Sequence, residues 1–279
     1  MRRKLLVLIF VVLMVVVGYV QFRYDSHRNY FAGREVFVTL PPGKTLRILS
    51  FGFRNLVADM LFIWSIQFYS TYYLTNIYDY LEHVFEVITD LNPRYKEPYI
   101  VGSWIMALEA MDVKMAMRLL QKGARNMPDE WIFDYECGFY AYKNLKDYAL
   151  AEEFFTKAAS KPNAPPLIKR KRAHMVYMKD NLNYAYELWM EIYKKAQDYL
   201  ERAAARNHLH QIKFEMDKKF LEQRIALFKS IYKRYPYNLE ELKRARLVRG
   251  IPRDFDGNHY IYRPKKGIIT AEKVLRWKK

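Results

Sequence analysis

Apolar residues along the chain come in three patterns. Leu5 to Val20 is an unbroken apolar run, preceded by Arg2, Arg3 and Lys4. A charged head followed by an all-round apolar stretch is the order of a membrane-targeting segment. Leu46 to Tyr73 is a second, very apolar stretch, with Leu56, Val57, Met60, Leu61, Ile63 and Trp64 in its middle. From Asn76 onward the apolar residues become periodic. Tyr78, Leu81, Phe85 and Ile88 fall at helical spacing before Asn92-Pro93, and Ala116, Leu119, Leu120 and Gly123 before Met127-Pro128. Ala151, Phe154, Phe155 and Ala158 do so before Lys161-Pro162. The three prolines stand 35 and 34 residues apart, with two helix-length stretches between each pair. A period of that length built from two helices is a solenoid signature.

The first pattern reads as an uncleaved single-pass anchor over residues 1–24. No Ala-x-Ala-like site follows it, because the next residues are Gln21, Phe22, Arg23 and Tyr24. The short basic head is expected in the cytoplasm and the bulk beyond the membrane, which is the periplasm in a bacterium. Residues 25–45 read as a connector, with an alternating strand-like piece at Glu35 to Thr39 and a turn at Pro41-Pro42-Gly43. The second pattern reads as one long helix buried among neighbours, with Thr45 at its cap. Arg54, Asn55 and Asp59 within it weigh against a second span. A buried Asp59 then needs a partner such as Arg54 or Asn55.

The repeats resemble the tetratricopeptide repeat family, which sets a small and a large residue on the second helix and a proline past its end. Ala116, Leu120, Gly123 and Pro128 match at the family's spacing. Ala151, Phe155, Ala158 and Pro162 match with one residue fewer before the proline. Phe85 and Pro93 match more weakly, and Ala173, Tyr177, Ala185 and Trp189 suggest a fourth unit. The resemblance covers about residues 60–200, within a repeat region read as residues 46–199, and implies an all-α chain, a right-handed α-solenoid behind the anchor. A small residue permits close helix approach and a large one fills the next groove. The resemblance also implies a partner-binding groove lined by first helices. Val101, Ile105 and Glu109 fall there on one helix, Glu136, Tyr140 and Lys143 on the next, and Arg170, His174 and Tyr177 on the third.

Residues 200–234 read as a long basic helix capping the stack. Residues 235–279 read as a small module of one short helix plus a β-hairpin, with turns at Asp256-Gly257 and Lys265-Lys266-Gly267. Its Pro252, Asp254, Gly257 and Tyr260 are similar to the C-terminal run of type II secretion major pseudopilins, although Phe255 replaces a proline. Those pseudopilins bind calcium nearby, so Asp254, Asp256 and Asn258 are either ligands or an ordinary Asx turn.

Charge narrows the partners. Of the net +17, residues 165–279 carry +15, with 28 Lys and Arg against 13 Asp and Glu. That half is expected to meet something anionic, whether lipid headgroups, an acidic protein, a glycan or nucleic acid. The anchor makes nucleic acid the least favoured of these. No glycine-rich phosphate loop, zinc-protease helix or nucleophile elbow occurs. His208 and His210, two apart on a helix, point to different faces. The single cysteine, Cys137, excludes an internal disulfide. The sequence therefore reads as a membrane-anchored scaffold that holds a protein or peptide, with no enzyme activity, no cofactor and no metal. Assembly of a secretion or pilus-like machine is a sharper form of that reading. Binding of a polyanion or nucleic acid through the basic half is the alternative.

The anchor is checked by fractionation. The full chain is expected to sediment with membranes until detergent is added. Recovery in the soluble fraction, or cleavage near Tyr24, contradicts the anchor.

Overall fold

The computed structural model describes residues 10, 12–19, 23, 40–71 and 77–272. The described residues are mostly helical, and among them one two-stranded antiparallel sheet lies near the C-terminus. It divides into two compact units between Leu91 and Asn92. Of the anchor expected over 1–24, residues 10, 12–19 and 23 are helical and exposed. The rest of it, and the strand expected at Glu35 to Thr39, lie outside the described residues. Among the described residues no helix is long and apolar enough to cross a membrane.

The first unit contains α1 (Gly43–Leu49), α2 (Arg54–Thr71) and α3 (Ile77–Leu91). The single long helix expected from Leu46 is broken. Phe51 at φ 48° and Gly52 at φ 91° are both left-handed, a conformation that ends a helix and that Gly adopts at no steric cost. The Ser50 hydroxyl donates to the Arg47 carbonyl at 2.8 Å, holding the end of α1. Gly43, expected in the turn after Pro41-Pro42, already begins α1, and Thr45, expected at the cap, lies inside that helix.

Both α1 and α2 pack on α3, whose Leu81, Val84, Phe85, Ile88 and Leu91 are buried. Trp64, Phe68 and Tyr80 form an aromatic cluster, with centroids 4.9 Å apart for Trp64–Phe68 and 5.4 Å for Phe68–Tyr80. The expectation that α2 is buried among neighbouring helices holds on one side only. α3 covers the side bearing Ala58, Ser65 and Phe68, while Leu56, Met60 and Ile63 stay exposed. Asp59 is exposed as well, so its carboxylate keeps its hydration and needs no buried partner.

The second unit begins with α4 (Lys96–Trp104), which widens into a π-turn over Ile105–Glu109, and α5 (Val113–Asn126). Next come α6 (Trp131–Tyr140), with a second π-turn over Ala141–Leu145, and α7 (Tyr148–Ala159). α8 (Pro166–Met178), α9 (Leu182–Lys195) and the long α10 (Tyr199–Tyr232) follow. Successive helices from α4 to α10 pack on one another.

The turns inside the first three pairs share one construction. Met111, Lys146 and Asp180 are left-handed at φ 56°, 56° and 60°. Each precedes an Asx residue, Asp112, Asp147 or Asn181, whose side chain accepts a backbone N–H of the next helix. Such caps satisfy amides that the first helical turn leaves unpaired. These Asx positions are 35 and 34 residues apart, the same interval as the prolines.

Two glycines set the helix separations. A Cβ on Gly123 would lie 2.9 Å from the Phe133 ring, and one on Gly138 would lie 2.9 Å from the Phe155 ring. The rings occupy the space the missing side chains leave. Tyr99 completes the first contact, edge-on to Phe133 at 5.5 Å. The buried core beyond α6 is segmented. Ala141, Ala151, Phe155, Ala158, Ile168 and Met175 form one cluster. Ala173, Val176, Tyr177, Ala185, Trp189, Ala205, Leu209 and Ile212 belong to the next, so α8 serves both.

α10 spans about 50 Å at 1.5 Å per residue. It buries Ala205, Leu209 and Ile212 against α9, then Leu221, Ile225 and Phe228 against the C-terminal residues. Each triplet runs i, i+4, i+7, but Leu221 stands nine positions after Ile212. Nine steps of 100° turn the second stripe to the opposite side of the helix. α11 (Glu240–Arg244) and the hairpin of β1 (Ile261–Arg263) and β2 (Ile268–Thr270) lie on that second stripe. The strands pair antiparallel, Tyr262 opposite Ile269. The Tyr260 hydroxyl donates to Asp217 of α10 at 2.5 Å. Asp256 takes a bidentate bond from Arg206 at 2.7 and 2.8 Å.

The glycine contacts give a direct test. Alanine is the better helix former, by about 0.5–1 kcal/mol. Even so, Gly138→Ala is expected to lower stability by about 1–2 kcal/mol in a denaturant titration, because the Phe155 ring must shift. Gly250→Ala, whose Cβ meets nothing within 4 Å, is expected to be neutral. A stabilised Gly138→Ala would contradict the close contact.

Candidate functional site

The nine residues expected to line a groove separate into two groups. Val101, Glu136, Arg170 and His174 are half-buried, and Glu109 and Lys143 are exposed. Ile105, Tyr140 and Tyr177 are instead buried. The first two sit where α4 and α6 give way to π-turns. Their burial follows the regular register of the helices that precede the π-turns, since Ile105 lies seven positions after the buried Pro98 and Tyr140 seven after the buried Phe133. Tyr140 meets Ser103 Oγ at 3.5 Å, and burial pushes its phenol up to about 12. Tyr177 donates to Glu215 Oε1 at 2.6 Å and accepts from Gln211 at 2.7 Å. Its hydroxyl ties α8 to α10 rather than facing a partner.

Neighbours one position away take the vacated places. Trp104, just before Ile105, is exposed and hydrogen-bonds the Glu136 carboxyl of α6. Burial raises that carboxyl above its usual range, and the indole bond opposes the rise. Tyr142, just before Lys143, has Lys146 Nζ and Lys171 Nζ each 6.0 Å from its ring centroid. His174 stands edge-on to the same ring at 6.1 Å.

Lys171 is a strained cation. Burial, and then the charge of Lys143, lower its pKa. Among the described residues none of Lys143, Lys146 and Lys171 makes an ion pair. The positive cluster sits beside an aromatic ring that attracts cations.

His174 continues the face to α10, where His208 lies edge-on at 6.2 Å. His208 stacks on Trp189 of α9, with centroids 3.8 Å apart and planes at 15°. Burial, and then His174, lower the His208 pKa to about 4. Burial and Lys171 lower that of His174. Both rings are neutral at pH 7. Aromatic and charged groups of α4, α6, α8 and α10 therefore form one belt, with an unneutralised basic centre where α6 meets α8. Sequence register alone missed Trp104, Tyr142, Lys171 and His208, although three of them adjoin a chosen position.

Elsewhere the polar residues singled out in the sequence serve the fold. His210 bonds Asp256 at 3.0 Å, on another side of α10 from His208. Asp254 Oδ1 accepts the N–H groups of Asp256 and Asn258 at 2.9 and 2.7 Å. Burial raises the Asp254 carboxyl, but these bonds outweigh it and leave the pKa below the usual range. The arrangement is an Asx turn. Arg172 donates to the Tyr184 hydroxyl at 2.5 Å, so the densest basic run is partly committed to packing. Cys137 is buried, and burial pushes its thiol well above the usual range, away from nucleophilic use.

No protein-family model matches the chain, and no curated protein matches it either.

His208 makes the belt sensitive to acid. Its folded-state pKa is lower than its unfolded value of 6.5, so the unfolded chain takes up the proton first as pH falls. Its contribution is complete above about pH 6.5 and is lost progressively towards pH 4. His208→Phe keeps an aromatic ring on Trp189 and removes the titration. The variant is expected to lose less stability than the parent over that window, by on the order of 2 kcal/mol in denaturant midpoints. Equal losses would contradict the assignment.

Proposed function

We propose that this chain is a membrane-anchored, tetratricopeptide-like helical scaffold whose belt across α4, α6, α8 and α10 holds an acidic segment of a partner protein. The unpaired basic cluster of Lys143, Lys146 and Lys171 around Tyr142 carries the proposal. A carboxylate placed there relieves the like-charge strain on Lys171 and gains charge-assisted bonds. Trp104, Tyr142 and His174 supply the flat apolar surface that interfaces favour.

The recurrent left-handed and Asx turn, the glycine–ring contacts and the segmented core support a solenoid of helix pairs. Its long exposed face would then be the belt. On this reading residues 1–24 anchor the scaffold, the N-terminus is cytoplasmic, and the bulk works on the far side of the membrane. Service in a secretion or pilus-like machine rests on the C-terminal resemblance alone. The polyanion alternative has less support from geometry. Arg206, Lys213 and Arg234, in the basic half, pair with Asp256, Asp217 and Glu241.

The test is site-specific crosslinking in membranes. A photoreactive residue at position 143 is expected to capture a discrete protein, and one at Arg249, in the C-terminal module, is not. Lys143→Glu is expected to weaken binding of the captured acidic segment about tenfold. Equal capture from both positions, or binding untouched by Lys143→Glu, overturns the proposal. Steep loss of nucleic-acid binding with added salt by the same chain would favour the polyanion alternative.

A further inference from the structure

The turn between α1 and α2 lifts large apolar side chains into solvent. Phe51 is 85% exposed, Ile48 78% and Phe53 68%. The turn is held by its own backbone, since the Phe51 N–H donates to the Ile48 carbonyl and the Phe53 N–H to the Ser50 carbonyl. The display is therefore built into the fold. Leu56, Met60 and Ile63 extend it along α2 at i, i+4 and i+7, all exposed. Large exposed apolar side chains gathered on one turn and one helix face mark an interaction site.

The charges around it indicate what it meets. Lys44 and Arg47 on α1 and Arg54 at the start of α2 are exposed around the tip. Asp59 is the sole acidic residue between positions 44 and 63. Aromatic rings at the end of a projecting turn, flanked by cations, match the layered chemistry of a lipid surface. The rings suit the headgroup–acyl boundary, and the cations suit the phosphates above it.

We propose that the α1–α2 turn inserts into an anionic bilayer surface, with Ile48, Phe51 and Phe53 entering the boundary and Lys44, Arg47 and Arg54 binding lipid phosphates. The contact is additional to the N-terminal anchor and does not depend on it. In an anchored chain it fixes the orientation of the first unit against the membrane.

The test uses the full chain in vesicles of phosphatidylglycerol mixed with phosphatidylcholine. Phe51→Cys is labelled with an environment-sensitive nitrobenzoxadiazole probe, and the buried Cys137 leaves that site selective. Asp79→Cys, exposed on α3, is the control. The probe at 51 is expected to shift to shorter wavelength and to be quenched by phospholipid spin-labelled near its headgroup. The control is expected to remain in water. Lys44→Gln, Arg47→Gln and Arg54→Gln are each expected to lower the inserted-to-free ratio about fivefold.

A probe at 51 that stays in water overturns the proposal. So does one that is shifted but beyond the reach of lipid spin labels, because protein then covers the tip, whether a second copy or the apolar N-terminal segment. A high-salt wash separates this result from the anchor. A chain that washes off lacks the anchor, yet quenching at low salt before the wash still supports insertion of the tip.

Discussion

The approach of Phe133 to Gly123, and of Phe155 to Gly138, decides how near successive helices can come. Much of the second unit depends on that distance. Each ring is buried where a neighbouring helix offers no side chain, Phe133 between two helix pairs and Phe155 within one. The core beyond α6 is accordingly shared between neighbours in clusters, with α8 facing both ways. The left-handed residue and Asx cap between paired helices reset the direction of the chain at a constant interval. α10 ends the series by exchanging one buried stripe for the opposite one and passing cohesion to α11 and the hairpin.

The same arrangement leaves a face unspent. Helices that bury one side against their neighbours present the other, and on α4, α6 and α8 that side carries Trp104, Glu136, Tyr142, Lys171 and His174. Ile105 and Tyr140 fall on the buried side of their helices, while Trp104 is exposed and Tyr142 half-buried. A packed chain rarely leaves lysines clustered without an anion, since like charges destabilise the folded state. Their clustering around Tyr142 is what supports the acidic partner proposed for the belt.

Much of this was legible in the sequence, and the rest was hidden for identifiable reasons. The prolines at 93, 128 and 162 mark the ends of α3, α5 and α7, because Pro cannot continue a helix. The pairing of Gly123 and Phe155 with neighbouring helices follows from the small-and-large pattern. The turn at Lys265-Lys266-Gly267 does join two strands. The groove list erred at Ile105 and Tyr140 because it took the wrong side of each helix, both residues falling seven positions after a buried one, Pro98 and Phe133. Tyr177 was lost to a hydrogen-bond network whose partners, Gln211 and Glu215, lie more than thirty positions away. The break at Phe51-Gly52 was masked by the apolar residues on both sides of it, which read as one helix. The stripe on α10 was unreadable as a whole because its two halves cancel.

Cohesion carried from helix to helix is the claim on which both the architecture and the belt rest. Native-state hydrogen exchange on Phe155→Ala measures it directly. Loss of protection should be greatest in α6, α7 and α8, smaller in α4 and α5, and least in the hairpin of β1 and β2. An equal loss of protection from α4 to the hairpin would contradict it, because the second unit would then be held by one undivided core.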